Sequence, residues 1–405
     1  RTEVKGYFMN TTQRLIAVLL KAAVTGQAQT LPEGYSLEEA LPIIKKQGLA
    51  TLAYEGAALC GISSQEPVMQ ELFRLYYAIL LKSERQMRQV DLIYKAFEEN
   101  GIDYLPFKGC VMKNLYPKPE LRVMGDADIL IHEEQYEKTK PILAKLGMTM
   151  RLEGDCEQTW ISPELHLELH ICLVQPAHRD YYSYFGTGWD HAIPAGGYRY
   201  TFSVEYTYLH LFMHFAKHYR ESGVGARHVL DLWVYRRAHP EMDHVYIARE
   251  LEKLRLKKFH DNTMALLELW FGEGAENEMT ELMNRRIFCG GSFGTMENTL
   301  VFGAMNRALD SRKLNNPLPG YIWKLIFPSR KSMECLFPVL KKYPILLPVC
   351  WVAKTVKLVL HRPERVRSAV NVGKHMVSLE KLDELHLVGL ELYAEAERAE
   401  SEVSG

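Results

Sequence analysis

Cysteine is scarce and unpatterned in this 405-residue chain: seven residues, at 60, 110, 156, 172, 289, 335 and 350, with no C-x-x-C pair. The odd count and the spacing argue against a disulfide scaffold and against a structural zinc knuckle. Long hydrophobic runs are missing too. The longest stretches free of Asp, Glu, Lys and Arg are residues 22–32, 206–216 and 343–353, eleven residues each. A membrane-spanning helix needs about twenty apolar residues, so no membrane partner is expected. Neither charge is in excess: 49 Lys+Arg against 50 Asp+Glu leave a net charge of −1. Long nucleic-acid contacts need clustered cations to neutralise phosphates, and this balance disfavours them. The first twenty residues read as an amphipathic helix without a small-residue cleavage site, so a reduced, cytoplasmic setting is expected.

What is present is ordinary globular composition, 47% hydrophobic and 24% charged, enough chain for two or three domains. Residues 1–100 carry helical periodicity, as in Leu15, Val18, Leu19 and Ala22, and a longer run from Met69 to Glu99 that Gly101 stops. Between 101 and 203 the texture changes to short β-prone segments at 104–107, 127–131, 148–152, 159–161, 165–173 and 198–202, with a helix over 133–146. Residues 204–405 return to helices, among them 209–219, 226–238, 245–256 and 261–271. Prolines 317, 319, 328, 338, 344 and 348 break up the tail before a Glu-rich helix over 379–402. The expected class is therefore α+β: a mixed-sheet module flanked by N-terminal and C-terminal helical regions.

The richest stretch is Phe107-Lys108-Gly109-Cys110, then Tyr116-Pro117, Arg122 and Gly125-Asp126-Ala127-Asp128-Ile129-Leu130-Ile131. A strand has a side-chain period of two, so Asp126 and Asp128 share one face while Ala127 and Ile129 point inward. Two carboxylates at that spacing repel unless a cation lies between them, and Mg²⁺ is held by such a pair together with phosphate oxygens. A solvated strand end would give the same pattern. The second element, His166-Leu167-Glu168-Leu169-His170, alternates in the same way. Placed on a neighbouring strand, its Glu168 would complete a three-carboxylate site for two metals. In the third element Gly109, lacking a Cβ, lets backbone N–H groups approach a triphosphate, whose charge Lys108 and Arg122 would offset.

Together these residues resemble the DNA polymerase β-like nucleotidyltransferase superfamily, and most closely its bacterial group of uncharacterised nucleotidyltransferases. Lys108-Gly109, Tyr116-Pro117, Arg122, Asp126-x-Asp128 and Leu167-Glu168-Leu169-His170 fill that group's motif positions, and type IV toxin nucleotidyltransferases share a similar order. The likeness runs over about residues 100–360, through Leu209-His210 to Asp231-Leu232 and on to Trp351. Cys110 stands where the superfamily usually has Ser or a second Gly. The resemblance implies metal-dependent transfer of a nucleoside monophosphate from a nucleoside triphosphate, ATP first among them, to an acceptor hydroxyl with release of pyrophosphate. It implies two Mg²⁺ ions, with Mn²⁺ as the substitute. Asp126 and Asp128 would bridge both ions, and Glu168 would hold the one that activates the acceptor. Lys108, Gly109, Cys110 and Arg122 would lie along the triphosphate. The acceptor is left open between a small molecule, a protein side chain and a tRNA end.

His210, His214 and His218 recur every four residues and so stack on one helix face. The spacing is that of zinc ligands, but the Glu of H-E-x-x-H is missing, and the surroundings are apolar. The preferred expectation is a helical wall of the nucleotide site, formed by His214, His218, Arg227 and Asp231. Arg227 would then meet phosphate with Asp231 orienting it; a structural Arg227–Asp231 pair at i,i+4 fits equally well. Two other readings compete with the enzyme: a nucleotide-binding or interaction protein of the same fold whose site has decayed, and a zinc hydrolase built on the histidine stripe.

Overall fold

Asn10 opens the first helix with a capping box, its side chain accepting from the Gln13 amide while Gln13 reaches back to the Asn10 amide. In the computed structural model the described residues are 9–176, 178–291, 327, 330, 333, 337, 339–361 and 379–390. Four helices come first: α1 (Thr11–Thr25), α2 (Leu37–Gln47), α3 (Ala50–Leu59) and α4 (Pro67–Asn100). Sequence periodicity had no purchase on α3, because its buried residues, among them Ala50, Leu52, Ala53 and Ala57, lie all round the helix. At the end of α4, Gly101 takes the left-handed cap at φ 64°, where glycine carries no Cβ penalty.

The module that follows holds β1 (Tyr104–Phe107), α5 (Gly109–Met112), β2 (Ala127–Ile131), α6 (Tyr136–Lys145), β3 (Thr149–Glu153), β4 (Glu157–Ile161) and β5 (His166–His170). The sheet order is β1-β2-β5-β4-β3. Only β2 and β5 run parallel; the other pairs are antiparallel, so the sheet is mixed. One face packs on the helices. Ala127, Ile129 and Ile131 of β2 with Leu167 and Leu169 of β5 form a core with Val90, Ile93 and Phe97 of α4 and Leu143 of α6. Burying the four larger of these side chains, Ile129, Ile131, Leu167 and Leu169, contributes roughly 1.5–3 kcal/mol each, which fixes the register, since a slip of one residue would turn them out. The opposite face carries the polar residues of β2 and β5.

Next come α7 (Arg179–Phe185), the short hairpin β6 (Ile193–Pro194) and β7 (Tyr200–Thr201), and helices α8 (Val204–Glu221), α9 (Ala226–Ala238), α10 (His244–Lys253), α11 (Lys257–Phe271) and α12 (Glu278–Cys289). The expected strand at 198–202 is thus reduced to two residues, paired with Ile193–Pro194. The chain divides into two compact units, Arg1–Ala216 with Val224–Ser292, and Lys217–Gly223 with Phe293–Gly405. Both boundaries expected from sequence texture, near 100 and 203, fall inside the first unit. In the second, Met333, Leu340 and Cys350 gather with Phe337, Leu347 and Trp351. Its helix Leu379–Val388 covers the start of the expected Glu-rich helix and ends at Gly389, whose φ of 93° turns the chain; residues 391–402, and Pro317, Pro319, Pro328 and Pro338, lie outside the described residues. Among the described residues no helix is long and apolar enough to cross a membrane.

One bridge departs from the expected reduced setting, while Cys60, Cys110, Cys289 and Cys350 are free. Cys156, just before β4, and Cys172, just after β5, form a disulfide with Cα atoms 5.5 Å apart. Antiparallel pairing of Glu157 with His170 brings these flanking residues together, a neighbourhood that spacing along the chain does not reveal.

Candidate active site

Parallel pairing sets Asp128 beside Glu168 and Ala127 beside Leu167. With a side-chain period of two, Asp126, Asp128, His166, Glu168 and His170 then share one face of the sheet centre. Donor atoms of Asp126, His166 and Glu168 lie within 4.8 Å of one another, and so do those of Asp128, Glu168 and His170. The three expected carboxylates therefore meet, and two histidines join them. Asp128 and His170 are buried while Asp126, His166 and Glu168 are partly exposed, so the polar face is enclosed at one end and open to solvent at the other.

Asp128, only 3% exposed, is the most enclosed of the acids. Its Oδ1 accepts from the Lys108 ammonium at 2.8 Å and lies 3.0 Å from His170 Nε2. Burial opposes its charge, but Lys108 and His170 outweigh that and hold the carboxyl well below the usual range. Asp126 moves the other way: burial first, then the negative charges of Asp128 and Glu168, push it up. Glu168 is held down by its hydrogen bond to His170 against burial. For His170, burial works against protonation, yet Asp128 and Glu168 on Nε2 raise it. Its Nδ1 faces Glu157 Oε2 at 3.6 Å, and its ring meets Phe107 edge-on.

The turn after β1 is strained at Lys108, with φ 46° and ψ −114°; Arg255 is the other non-glycine with positive φ among the described residues. Such a conformation costs roughly 1–3 kcal/mol and brings the ammonium over Asp128. Gly109 is required for a reason different from the expected open approach to a ligand. A Cβ there would stand 3.0 Å from Arg122 Nη1 and 3.2 Å from Met124 Cγ, so the glycine makes room for the protein's own side chains. Cys110 departs from expectation as well. Its thiol sits in the hydrophobic core with a hydrogen bond to Tyr94, and burial pushes it up to about 11, so its side chain does not line the carboxylate face.

Arg122 forms a two-point ion pair with Asp231, Nε to Oδ1 at 3.2 Å and Nη2 to Oδ2 at 3.0 Å, and the Tyr116 hydroxyl donates to the same Oδ1 at 2.7 Å. The guanidinium and tyrosine hold Asp231 low despite burial. Asp231 thus takes its two-point pair from the distant Arg122, while Arg227, one turn away, acts on it through its charge. Arg227 instead donates to the Val123 carbonyl at 2.8 Å, and burial followed by the Arg122 charge lowers its pKa. Beneath them Lys113, fully buried, donates to Ser83 and to the Arg122 carbonyl; burial and Arg122 push it down to about 8. No sequence pattern announces that lysine.

The histidine stripe splits. His210 is buried between Phe107 and Phe185, and burial with the nearby Lys108 pushes it down to about 3. His214 is half-buried beside it. His218 belongs to the second unit. Among the described residues the converging donor groups are the two sheet sets, and the stripe contributes to neither. Sequence reading passed over Tyr116, Glu157, His166 and His170 as site residues; the alternation around Glu168 was the signal available for the two histidines.

Three carboxylates and two imidazoles on one partly buried face are hard and borderline donors of the sort that hold divalent cations, so the residues present fit the divalent metal that nucleotidyltransferases generally use. No curated protein and no solved structure matches the chain. The comparison that succeeds is with a family described as uncharacterised nucleotidyltransferase, which matches residues 35–272 and so takes in every element from α2 to α11 and the whole carboxylate face. The chain belongs to that family.

Proposed function

We propose that this protein is a Mg²⁺-dependent transferase that moves a nucleoside monophosphate from a nucleoside triphosphate, ATP foremost, to an acceptor hydroxyl. The acceptor oxygen bonds to the α-phosphorus, the α–β phosphoanhydride bond breaks, pyrophosphate leaves and the hydroxyl proton passes to solvent. The observation that carries this reading is the convergence of Asp126, Asp128 and Glu168 on adjacent strands of a chain in a nucleotidyltransferase family. These residues would hold two divalent ions. When bound, such ions neutralise triphosphate charge and lower the pKa of an attacking hydroxyl.

The rest falls to the chain's own groups. Lys108, held at Asp128, is close enough to exchange that carboxylate for a phosphate oxygen when nucleotide enters. Arg122 is committed to Asp231 and positions the Gly109 turn from beneath. Arg227, which donates to the Val123 carbonyl, adds a positive charge whose field reaches Asp126 and would favour an anionic substrate. His214 stands on the neighbouring helix as a wall residue. The acceptor is a small molecule, a protein side chain or a tRNA end, and the setting cytoplasmic, where nucleotide is supplied.

The test is incorporation of label from α-labelled nucleotides with Mg²⁺ into protein, tRNA or a metabolite extract. Label should appear and vanish in Asp126→Asn and Asp128→Asn. Absence of transfer from all four nucleotides would overturn the reading. Binding without transfer is the second reading, and the existing Lys108 and His170 pairing of Asp128 favours it, since it lowers the need for a metal. Calorimetric titration of ATP separates the two: a binder without metal chemistry shows the same affinity with and without Mg²⁺.

A further inference from the structure

We propose that the cation site is built from imidazole as well as carboxylate. Glu168 is common to two donor sets, Asp126–His166–Glu168 and Asp128–Glu168–His170, and the site selects Mn²⁺ over Mg²⁺. The proposal rests on the nucleotidyl-transfer reading only for the presence of a divalent cation; the histidine ligands, the shared glutamate and the metal preference go beyond it.

The geometry begins with β5. Its His-Leu-Glu-Leu-His run places His166, Glu168 and His170 on one face at successive steps of about 6.6–7 Å. Strand β2 runs parallel beside it with Asp128 level with Glu168, so Asp126 stands near the His166 end. Each aspartate then has its own histidine, and both sets reach the glutamate in the middle, all donor atoms of a set lying within 4.8 Å. Glu168 is the one residue common to both sets, and each set adds one histidine to the carboxylates.

Independent support comes from the far side of His170. Its Nε2 faces two carboxylates, Asp128 Oδ1 at 3.0 Å and Glu168 Oε2 at 3.6 Å, while Nδ1 faces a third, Glu157 Oε2, at 3.6 Å. A carboxylate behind the second ring nitrogen is the usual support of a metal-bound histidine, because it fixes the tautomer and the ring plane. The edge contact with Phe107 fixes the same plane from another direction. Nitrogen donors decide the metal. Mg²⁺ keeps to oxygen ligands and water, whereas imidazole raises affinity for transition ions, of which Mn²⁺ also accepts carboxylate and phosphate oxygens.

The experiment titrates the full-length protein with Mn²⁺ without nucleotide, follows bound ion by electron paramagnetic resonance, and reads ¹⁴N modulation by pulsed spectroscopy. We expect ¹⁴N coupling to bound Mn²⁺, reduced in His166→Gln and in His170→Gln. Binding should be weaker by about 10–100-fold in Glu157→Gln, as for loss of an outer-shell partner. Mg²⁺ at about tenfold excess should fail to displace the ion. Should His170→Gln fail to fold by circular dichroism, His166→Gln and Glu157→Gln, whose side chains are only partly buried, carry the test. Bound Mn²⁺ without ¹⁴N coupling, or displacement by equimolar Mg²⁺, overturns the proposal. If nucleotidyl transfer persists in that case, only the ligand assignment fails. Nitrogen-coupled Mn²⁺ with no transfer from any nucleotide leaves the assignment standing and removes the activity. Absence of Mn²⁺ binding removes the assignment whatever the transfer assay shows.

Discussion

The Lys108 ammonium stands 2.8 Å from Asp128 Oδ1, on a backbone whose φ of 46° a lysine adopts only under strain. The turn therefore spends conformational energy to set a positive charge against the most buried carboxylate of the site.

Two substitutions separate strain from charge at this position. Lys108→Met and Lys108→Gly both remove the ammonium and so leave Asp128 less compensated. Glycine also accepts the positive φ, so Lys108→Gly should be the more stable of the two by about 1 kcal/mol, read from urea midpoints. Both should bind a divalent cation more tightly without nucleotide, because the competing charge is gone, and transfer more slowly.

The Arg122–Asp231–Tyr116 cluster should behave as one unit. Asp231→Ala strands the buried guanidinium and should cost about 3–5 kcal/mol, whereas Tyr116→Phe should cost about 1 kcal/mol. The double change should cost less than the sum of the two, since the tyrosine's partner is already gone. Chemical denaturation of the three variants checks this.

His210 predicts an acid sensitivity. Folded, it resists protonation down to about 3, while an unfolded histidine takes up a proton below about 6.5. The unfolded state therefore binds more protons across that window, and stability falls as pH drops through it, by up to about 1.4 kcal/mol per unit. His210→Phe should flatten this part of the profile, adding about 2 kcal/mol of resistance on going from pH 6.5 to 5. Paired urea titrations of both proteins at the two pH values give the comparison.

Reduction of Cys156–Cys172 should lower stability by about 3 kcal/mol, the usual effect of opening a loop of this length, and Cys156→Ser should reproduce the loss. Denaturation with and without reductant measures it. Alkylation mapping should find both positions blocked in oxidised protein, and both reactive once it is reduced and unfolded.

Much of the module was legible because local rules and global packing agree there. The strands at 104–107 and 127–131 stand at the expected bounds, since short β-branched and aromatic runs are closed by Gly101 on one side and by Lys108-Gly109 on the other. The D-x-D strand and the alternation around Glu168 placed three carboxylates on one face, and parallel pairing of β2 with β5 is what unites them. What stayed hidden depends on partners far along the chain. Arg122 and Asp231 are 109 residues apart, so the nearer Arg227 drew attention away from the pair that forms. That the Cys110 side chain turns into the core was hidden as well, because position in a motif does not report which way a buried side chain points. At Gly109 the atoms that a Cβ would crowd belong to Arg122 and Met124, contacts that no local pattern reveals.

The order of strands also fixes a timetable. β5 enters between β2 and β4, so its carboxylate reaches the aspartates only after the intervening helix and hairpin have been synthesised and have left a gap to receive it. A nascent chain halted before residue 166 would own a D-x-D segment and a glycine turn yet lack Glu168 and both histidines of the two donor sets. On the proposed reading a truncated fragment would be inert rather than leaky.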